Sequence, residues 1–423
     1  MTEGTAPSGQ GDGYIAARKA ELAAALSAEP GLAASGDQGA LGDLLKILGA
    51  LLHHEAYARL EALKALYDPL DPEAPPERRK SDLATFEQFE AALIEALTRA
   101  NFTEIDHDTV QTRQATRLLT GLSIKPSQAG IRRVRFFARG ARPEKLTFRR
   151  WFGLRTQEIE ADVMTDVVVL VGFKAEAEVL RADRPAFARM RRGVRHGAAL
   201  VKHFRNVATA ELVTLHPGAR PSMRPRDQVF LAAPALVAGT PVLLNLWPAL
   251  TVISAVAAAY FGARGVIDDD QLKRALAAIS GLVAVVAFVM RQRLKYETQS
   301  LRYQKQLADT VYFRNLANNA GVVDLLVGAG EEQDAKEAFL AYSVLTRAAE
   351  PMSKGELDMA CEQFLREKLA LSIDFEVGDA LAKLERMGLI VRDQEMYRAI
   401  PVAEALTKLD AAWDDLFRFS ARR

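Results

Sequence analysis

The stretch "PVLLNLWPALTVISAVAAAYFGA", Pro241–Ala263, carries no charge in a 423-residue chain of which 26% is charged. It lies within a longer uncharged run of 36 residues, Gln228–Ala263. A bilayer core ~30 Å thick is crossed by about 20 helical residues. The run therefore predicts a crossing at 241–263, with Trp247 and Tyr260 as interface anchors and 228–240 lying along the surface. A second uncharged run, Ala275–Met290, has 16 residues, and Lys273, Arg274 and Arg291 at its ends can snorkel outward. Basic residues crowd the outer flanks, among them Arg220, Arg224, Arg226, Arg293, Lys295, Arg302 and Lys305, while the connecting loop holds Asp268, Asp269 and Asp270. That asymmetry predicts two crossings with both ends cytoplasmic. The competing reading is a large buried helical hairpin.

Working outward, the near-neutral total of +1 hides a segregation: net −7 over 1–130, +12 over 131–226, +2 over 227–330 and −6 over 331–423. The single cysteine, Cys361, excludes an intrachain disulfide framework. The polar start "MTEGTAPSGQGDG" lacks the basic and apolar blocks of a secretory signal and reads as a disordered tail, 1–13. Over 14–130, Leu41, Leu44, Leu45, Leu48, Leu51 and Leu52 recur at helical spacing. Thr85, with Gln88 three residues on, predicts a capped helix whose buried stripe is Phe86, Phe89, Leu93 and Leu97.

At 131–226 the period shortens. "IRRVRFFARG", "KLTFRRWFG" and "QEIEADVMTDVVVLVGFK" predict a small antiparallel sheet, followed by a basic helical stretch that would place His196 and His203 on one face. From Leu282 to Ala320 no proline or glycine occurs, which allows one helix of 39 residues. The second crossing is expected to continue as a stalk over 293–320, with Tyr296, Tyr303, Leu307, Thr310 and Val311 near a seven-residue stripe and an end at "NNAG". The stripe would pack on the protein's own basic domain or on a partner helix.

Four separated motifs, "ALYDPLDP", "KHFRNVATAELVTLHPG", "VYFRNLANNAGVVDLL" and "EEQDAKEAFLAY", resemble the family typified by human transmembrane protein 143. Their residues here include Phe204, Glu211, Leu212, Pro217, Tyr312, Phe313, Asn318, Asn319, Gly321, Lys336 and Glu337. The resemblance implies a two-pass membrane protein, with mitochondrial members in animals and others in bacteria and plastids. It implies no activity, since the shared region is a domain of unknown function.

Over 331–423, residues 336–346 resemble the first helix of a winged-helix unit, Ser353 with Glu356 caps a second, and a third precedes "LIVRDQEMYRAI", two short strands around a turn. That order suggests DNA binding. The charge of −6 and a candidate recognition helix with Glu376, Asp379 and Glu385 against Lys383 and Arg386 make nucleic acid an unlikely partner. The acidic module is better suited to docking on the basic one.

The chemistry-bearing patterns are sparse. "HHEAYA" lacks the second histidine of a zincin motif, and "LLVGAGEEQDAKEA" has glycines without the Lys-Ser/Thr of a phosphate loop, so Gly328 and Gly330 read as a flexible joint. No cofactor, metal or catalytic residue is assigned. Asn245, Thr251, Ser254 and Ser280 are the candidates for lining a pore or a helix interface. Arg132, Arg133, Arg135, Arg149, Arg150, Arg189, Arg191, Arg192 and Arg195 form the candidate contact for anionic lipid headgroups or a protein partner.

The fold class expected is an α+β membrane protein: a helical N-terminal region, a small antiparallel sheet, two transmembrane helices over 227–292 with a long helical stalk, and a C-terminal winged-helix-like domain. It would sit in the bacterial inner membrane with cytoplasmic domains, or in a mitochondrial membrane in a eukaryote. The function expected is an oligomeric scaffold or adaptor, with an oligomeric ion channel as the alternative.

Overall fold

The computed structural model describes residues 13–29, 38–80, 82–105, 123–126, 128–150, 155–179, 195–222 and 312–417, with scattered positions between Thr251 and Lys305. In chain order the elements are α1 (Lys19–Ser27), α2 (Gln38–Tyr67), α3 (Leu83–Arg99), β1 (Thr103–Ile105), β2 (Ser123–Pro126), β3 (Ile131–Arg150), β4 (Arg155–Phe173), β5 (Ala199–Ala208), β6 (Ala219–Ser222), β7 (Asn315–Asn318), α4 (Ala320–Arg347), β8 (Met352–Ser353), α5 (Lys354–Leu369), α6 (Val377–Arg386), β9 (Ile390–Asp393), β10 (Met396–Ala399) and α7 (Val402–Asp415). They divide into two compact units, one of residues 1–113, 128–217 and 314–423, the other of 114–127 and 218–313.

The first unit is built around a five-stranded antiparallel sheet in the order β1-β3-β4-β5-β7. Its register sets Phe137 opposite Val168 and Leu170 opposite Val201. That face buries Phe86, Phe89, Leu93 and Leu97 of α3 with Val322, Val323 and Leu326 of α4. Phe86 lies directly on β4, because a Cβ on Gly172 would sit 2.5 Å from its ring. Val167, Val169 and Val171 alternate onto the other face and are also buried. Asp82 caps α3, accepting from the Thr85 amide at 2.8 Å, so Thr85 is a first-turn partner of the cap and not the cap itself.

The 28-residue α4 joins two cores. Its first half packs on the sheet, and its second half, with Ala335, Ala338, Phe339 and Tyr342, packs on α1, the start of α2, α5, α6 and α7. The C-terminal strands pair in the order β8-β10-β9, with β8 just before α5 and the β9–β10 hairpin after α6. The Ser353–Glu356 capping box starts α5. This acidic part packs chiefly on α2 and α4, not on the basic sheet.

Several expectations are corrected. The stretch containing His203 is β5, a strand, because it pairs with β4 on one side and β7 on the other. "NNAG" starts a helix: β7 covers 315–318, Asn319 takes φ 52°, and α4 begins at Ala320, so no single helix runs from 282 to 320. Gly328 and Gly330 lie inside α4 and form no joint.

The membrane architecture is also corrected. Among the described residues no helix is long and apolar enough to cross a membrane, which overturns the two transmembrane helices and the inner-membrane or mitochondrial-membrane placement. For the second run the physical reason is length, while the first, 241–263, lies largely outside the described residues. The 16 residues of 275–290 extend ~24 Å as a helix against a bilayer core of ~30 Å, and Asp269 and Asp270, expected in a loop, are helical. After the helical position Tyr260 the chain turns at Phe261 and Gly262. Residues 223–250, with Trp247 and Asn245, lie outside the described residues, as do Tyr296, Tyr303, Leu307, Thr310 and Val311 of the stalk stripe and residues 1–12 of the expected tail.

The second unit pairs β2 with β6, Lys125 opposite Arg220. Its described positions between 251 and 305 are helical apart from the turn at Phe261 and Gly262. Leu276, Val283, Val286, Met290, Leu294 and Leu301 are each more than half exposed.

Candidate functional site

Residues 333–345 of α4 are all buried, although Gln333, Asp334, Lys336, Glu337 and Ser343 are polar. Burying such groups is tolerable only when each finds a partner, and the partners define the site. Asp334 and Glu337 lie one helical turn apart and receive Lys383 of α6 between them, Nζ at 2.6 Å from Asp334 and 3.1 Å from Glu337. Asn101, left-handed at φ 57° just after α3, donates its amide to Glu337 at 3.4 Å, and Arg59 of α2 stands 3.8 Å from Asp334. The Gln333 side chain both accepts from the Ile15 amide and donates to its carbonyl, and Lys336 donates to that carbonyl at 3.1 Å.

The electrostatics follow from burial. Glu337, 4% exposed, has its carboxyl pushed up to about 7 by burial, with Lys383 opposing the rise. For Lys383 burial favours the neutral amine, but the Glu337 and Asp334 carboxylates outweigh it and raise the pKa, so the ammonium persists. Burial depresses Lys336.

Above this cluster a cleft of about 500 Å³ opens between α2, α3, α4 and α6, with Arg59, Arg99, Asp334 and Lys383 on its walls. On its rim Arg386 of α6 makes a two-pronged pair with Glu55 at 2.6 and 3.0 Å. Next to it, an apolar slot of about 150 Å³ runs between α2, α3 and α4, and the two share Arg59, Glu95 and Arg99.

A second buried constellation lies on the sheet. Asp166 of β4 accepts from Arg139 Nε at 3.0 Å and Arg205 Nε at 3.3 Å, and meets His203 Nε2 at 3.0 Å. Burial disfavours the Asp166 carboxylate, yet His203 and Arg139 together hold its pKa well below the usual range. Arg139 also donates to the Ala100 carbonyl at 2.8 Å and lies over the Tyr14 and Phe102 rings. His203 Nδ1 is buried without a hydrogen-bond partner. Among the described residues no group of histidine, cysteine and carboxylates is placed to hold a metal.

The family with a matching sequence model is described as a protein of unknown function (DUF3754), over residues 164–321. That span runs from β4 to the start of α4, so it includes Asp166, His203 and Glu211 and excludes Asp334, Glu337 and Lys383. No curated protein matches the chain, and neither does any solved structure.

The arginines expected at a lipid or partner surface are paired internally wherever their side chains are described. Arg132 pairs with Glu178, Arg133 with Glu90, Arg135 with Glu90 and Glu104, and Arg195 donates to the Pro69 and Asp71 carbonyls. The side chains of Arg149, Arg150, Arg189, Arg191 and Arg192 lie outside the described residues. Ser254 and Ser280 bond to carbonyls of their own helices, those of Thr251 and Leu276. Phe204, Glu211, Leu212, Lys336 and Glu337 are buried, Glu211 paired with Arg314, whereas Tyr312 and Phe313 are exposed and stack edge to face.

Asp334, Lys383, Arg59 and Asn101 were missed as a site because their partners are remote in sequence. The available signal was "QDAKEAFLAYSVL" itself, apolar on every helical face and therefore obliged to bury its charges.

Proposed function

We propose that the chain is a self-associating scaffold or adaptor whose partner surface includes a second copy of itself. What carries this reading is the row of exposed apolar side chains on the helical positions of the second unit. Leu276, Val283 and Met290 are seven residues apart, as are Leu294 and Leu301. Seven-residue spacing aligns side chains into a seam that a second helix can cover, and exposed apolar patches of this kind mark interaction surfaces.

The charge pattern of the first unit agrees. Lys383 and Arg386, the cations that a nucleic-acid reader would present from α6, are engaged by Asp334, Glu337 and Glu55, which leaves little for phosphates. The channel alternative presupposes spanning helices and is set aside with them.

Sedimentation velocity on the full chain tests the reading. A dimer or larger species that Val283→Glu with Met290→Glu converts to monomer is expected; a wild-type chain that stays monomeric at ~100 µM, well above the Kd of a stable homodimer, refutes it.

A further inference from the structure

The slot between α2, α3 and α4 has a composition unlike the cleft it opens into. Leu63, Leu66, Ala92, Ala96, Leu326 and Val327 form its walls. Its volume of about 150 Å³ equals that of an apolar cavity that takes up a benzene ring. Gly330 also lines the slot, where a Cβ would make ordinary contact with Arg99 at 3.6 Å.

Two guanidiniums stand where slot and cleft meet. Arg99 has its nearest carboxylate, the exposed Glu95, at 3.5 Å, and Arg59 has Asp334 at 3.8 Å. Each guanidinium offers five N–H donors in a planar fork, and these contacts are ion pairs too long or poorly aligned to be hydrogen bonds. Three neighbouring acidic groups are more closely engaged, Glu331 by His53 at 2.8 Å, Asp334 by Lys383 at 2.6 Å and Glu55 by Arg386 at 2.6 Å, while the exposed Asp379 stands 4.0 Å from Lys383. Unfilled donor capacity at the mouth of an apolar slot selects an anion with an apolar group attached. The surrounding carboxylates penalise a second negative charge, so a monoanion is preferred over a phosphate dianion.

We propose that slot and mouth form a binding site for a small organic carboxylate, its aryl or six-carbon group seated in the slot and its carboxylate against Arg59 and Arg99. The site belongs to the first unit alone and does not depend on self-association through the second.

The probe is 3-phenylpropionate, titrated into the full-length chain by calorimetry and by saturation-transfer NMR. Saturable one-to-one binding is expected. The neutral amide, 3-phenylpropanamide, and the double variant Arg59→Met with Arg99→Met are each expected to weaken it about tenfold or more, since charge-assisted pairing supplies the selectivity. Ala96→Phe, which fills the slot, should remove binding of acid and amide alike. Ala92→Leu serves in its place should that variant melt below the wild type. No saturable binding, equal affinity for acid and amide, or unchanged affinity in a folded slot-filled variant each overturns the proposal.

Discussion

Replacing Glu337 by glutamine tests the electrostatics of the buried cluster most directly. The carboxyl is raised from 4.5 to about 7 by burial, so the native state holds its proton to higher pH than the unfolded chain does. A raised carboxyl stabilises the fold fully below its unfolded value, and this stability is lost as pH rises through the native value. A rise of that size corresponds to roughly 3 kcal/mol, of which about 2 kcal/mol is lost between pH 5.5 and 8.5. Glutamine mimics the protonated acid and keeps an acceptor for Asn101. Lys383, with its ammonium retained, and Asp334 still face the position from α6 and α4. Urea unfolding followed by circular dichroism at a series of pH values should show wild-type stability falling over this window and the Glu337→Gln profile flatter by about 2 kcal/mol. Parallel profiles for the two proteins would refute the assignment of the titration to Glu337.

Other substitutions probe separate features by the same unfolding assay. Lys383→Met leaves two buried carboxylates without their cation and should cost about 3–5 kcal/mol, whereas Arg386→Ala, at an exposed pair, should cost under ~1 kcal/mol. Gly172→Ala drives a methyl into the Phe86 ring and should destabilise by about 1–3 kcal/mol, with Phe86→Leu recovering part of the loss. Ser353→Ala removes the cap of α5, for a loss near 1 kcal/mol.

How far the fold was legible depended on whether an element has one wet face. The Leu41–Leu52 stripe and the Phe86–Leu97 stripe were readable because polar residues cover the opposite side of each helix. The Ser353–Glu356 box was readable because capping is local. β5 was not: lying between β4 and β7 it is buried on both faces, so "ALVKHFRNVA" shows no clean alternation, and the seven-residue gap from His196 to His203 imitates a helix. "NNAG" was ambiguous because a left-handed asparagine can precede a helix as well as end one. The uncharged run at 275–290 was read through its composition, but its length falls short. The charged cluster was hidden by distance along the chain, since Asn101 and Glu337 are 236 residues apart and Lys383 lies 46 beyond Glu337.

The clasp between Ile15 and Gln333 closes a loop of 318 residues. At a synthesis rate of about 5–20 residues per second, Ile15 emerges from the ribosome roughly 15–60 s before its partner exists. Through that interval an apolar side chain destined for complete burial has nowhere native to go. The first unit can be completed only after translation has passed α4, which makes its N-terminal segment a natural client for a chaperone during synthesis.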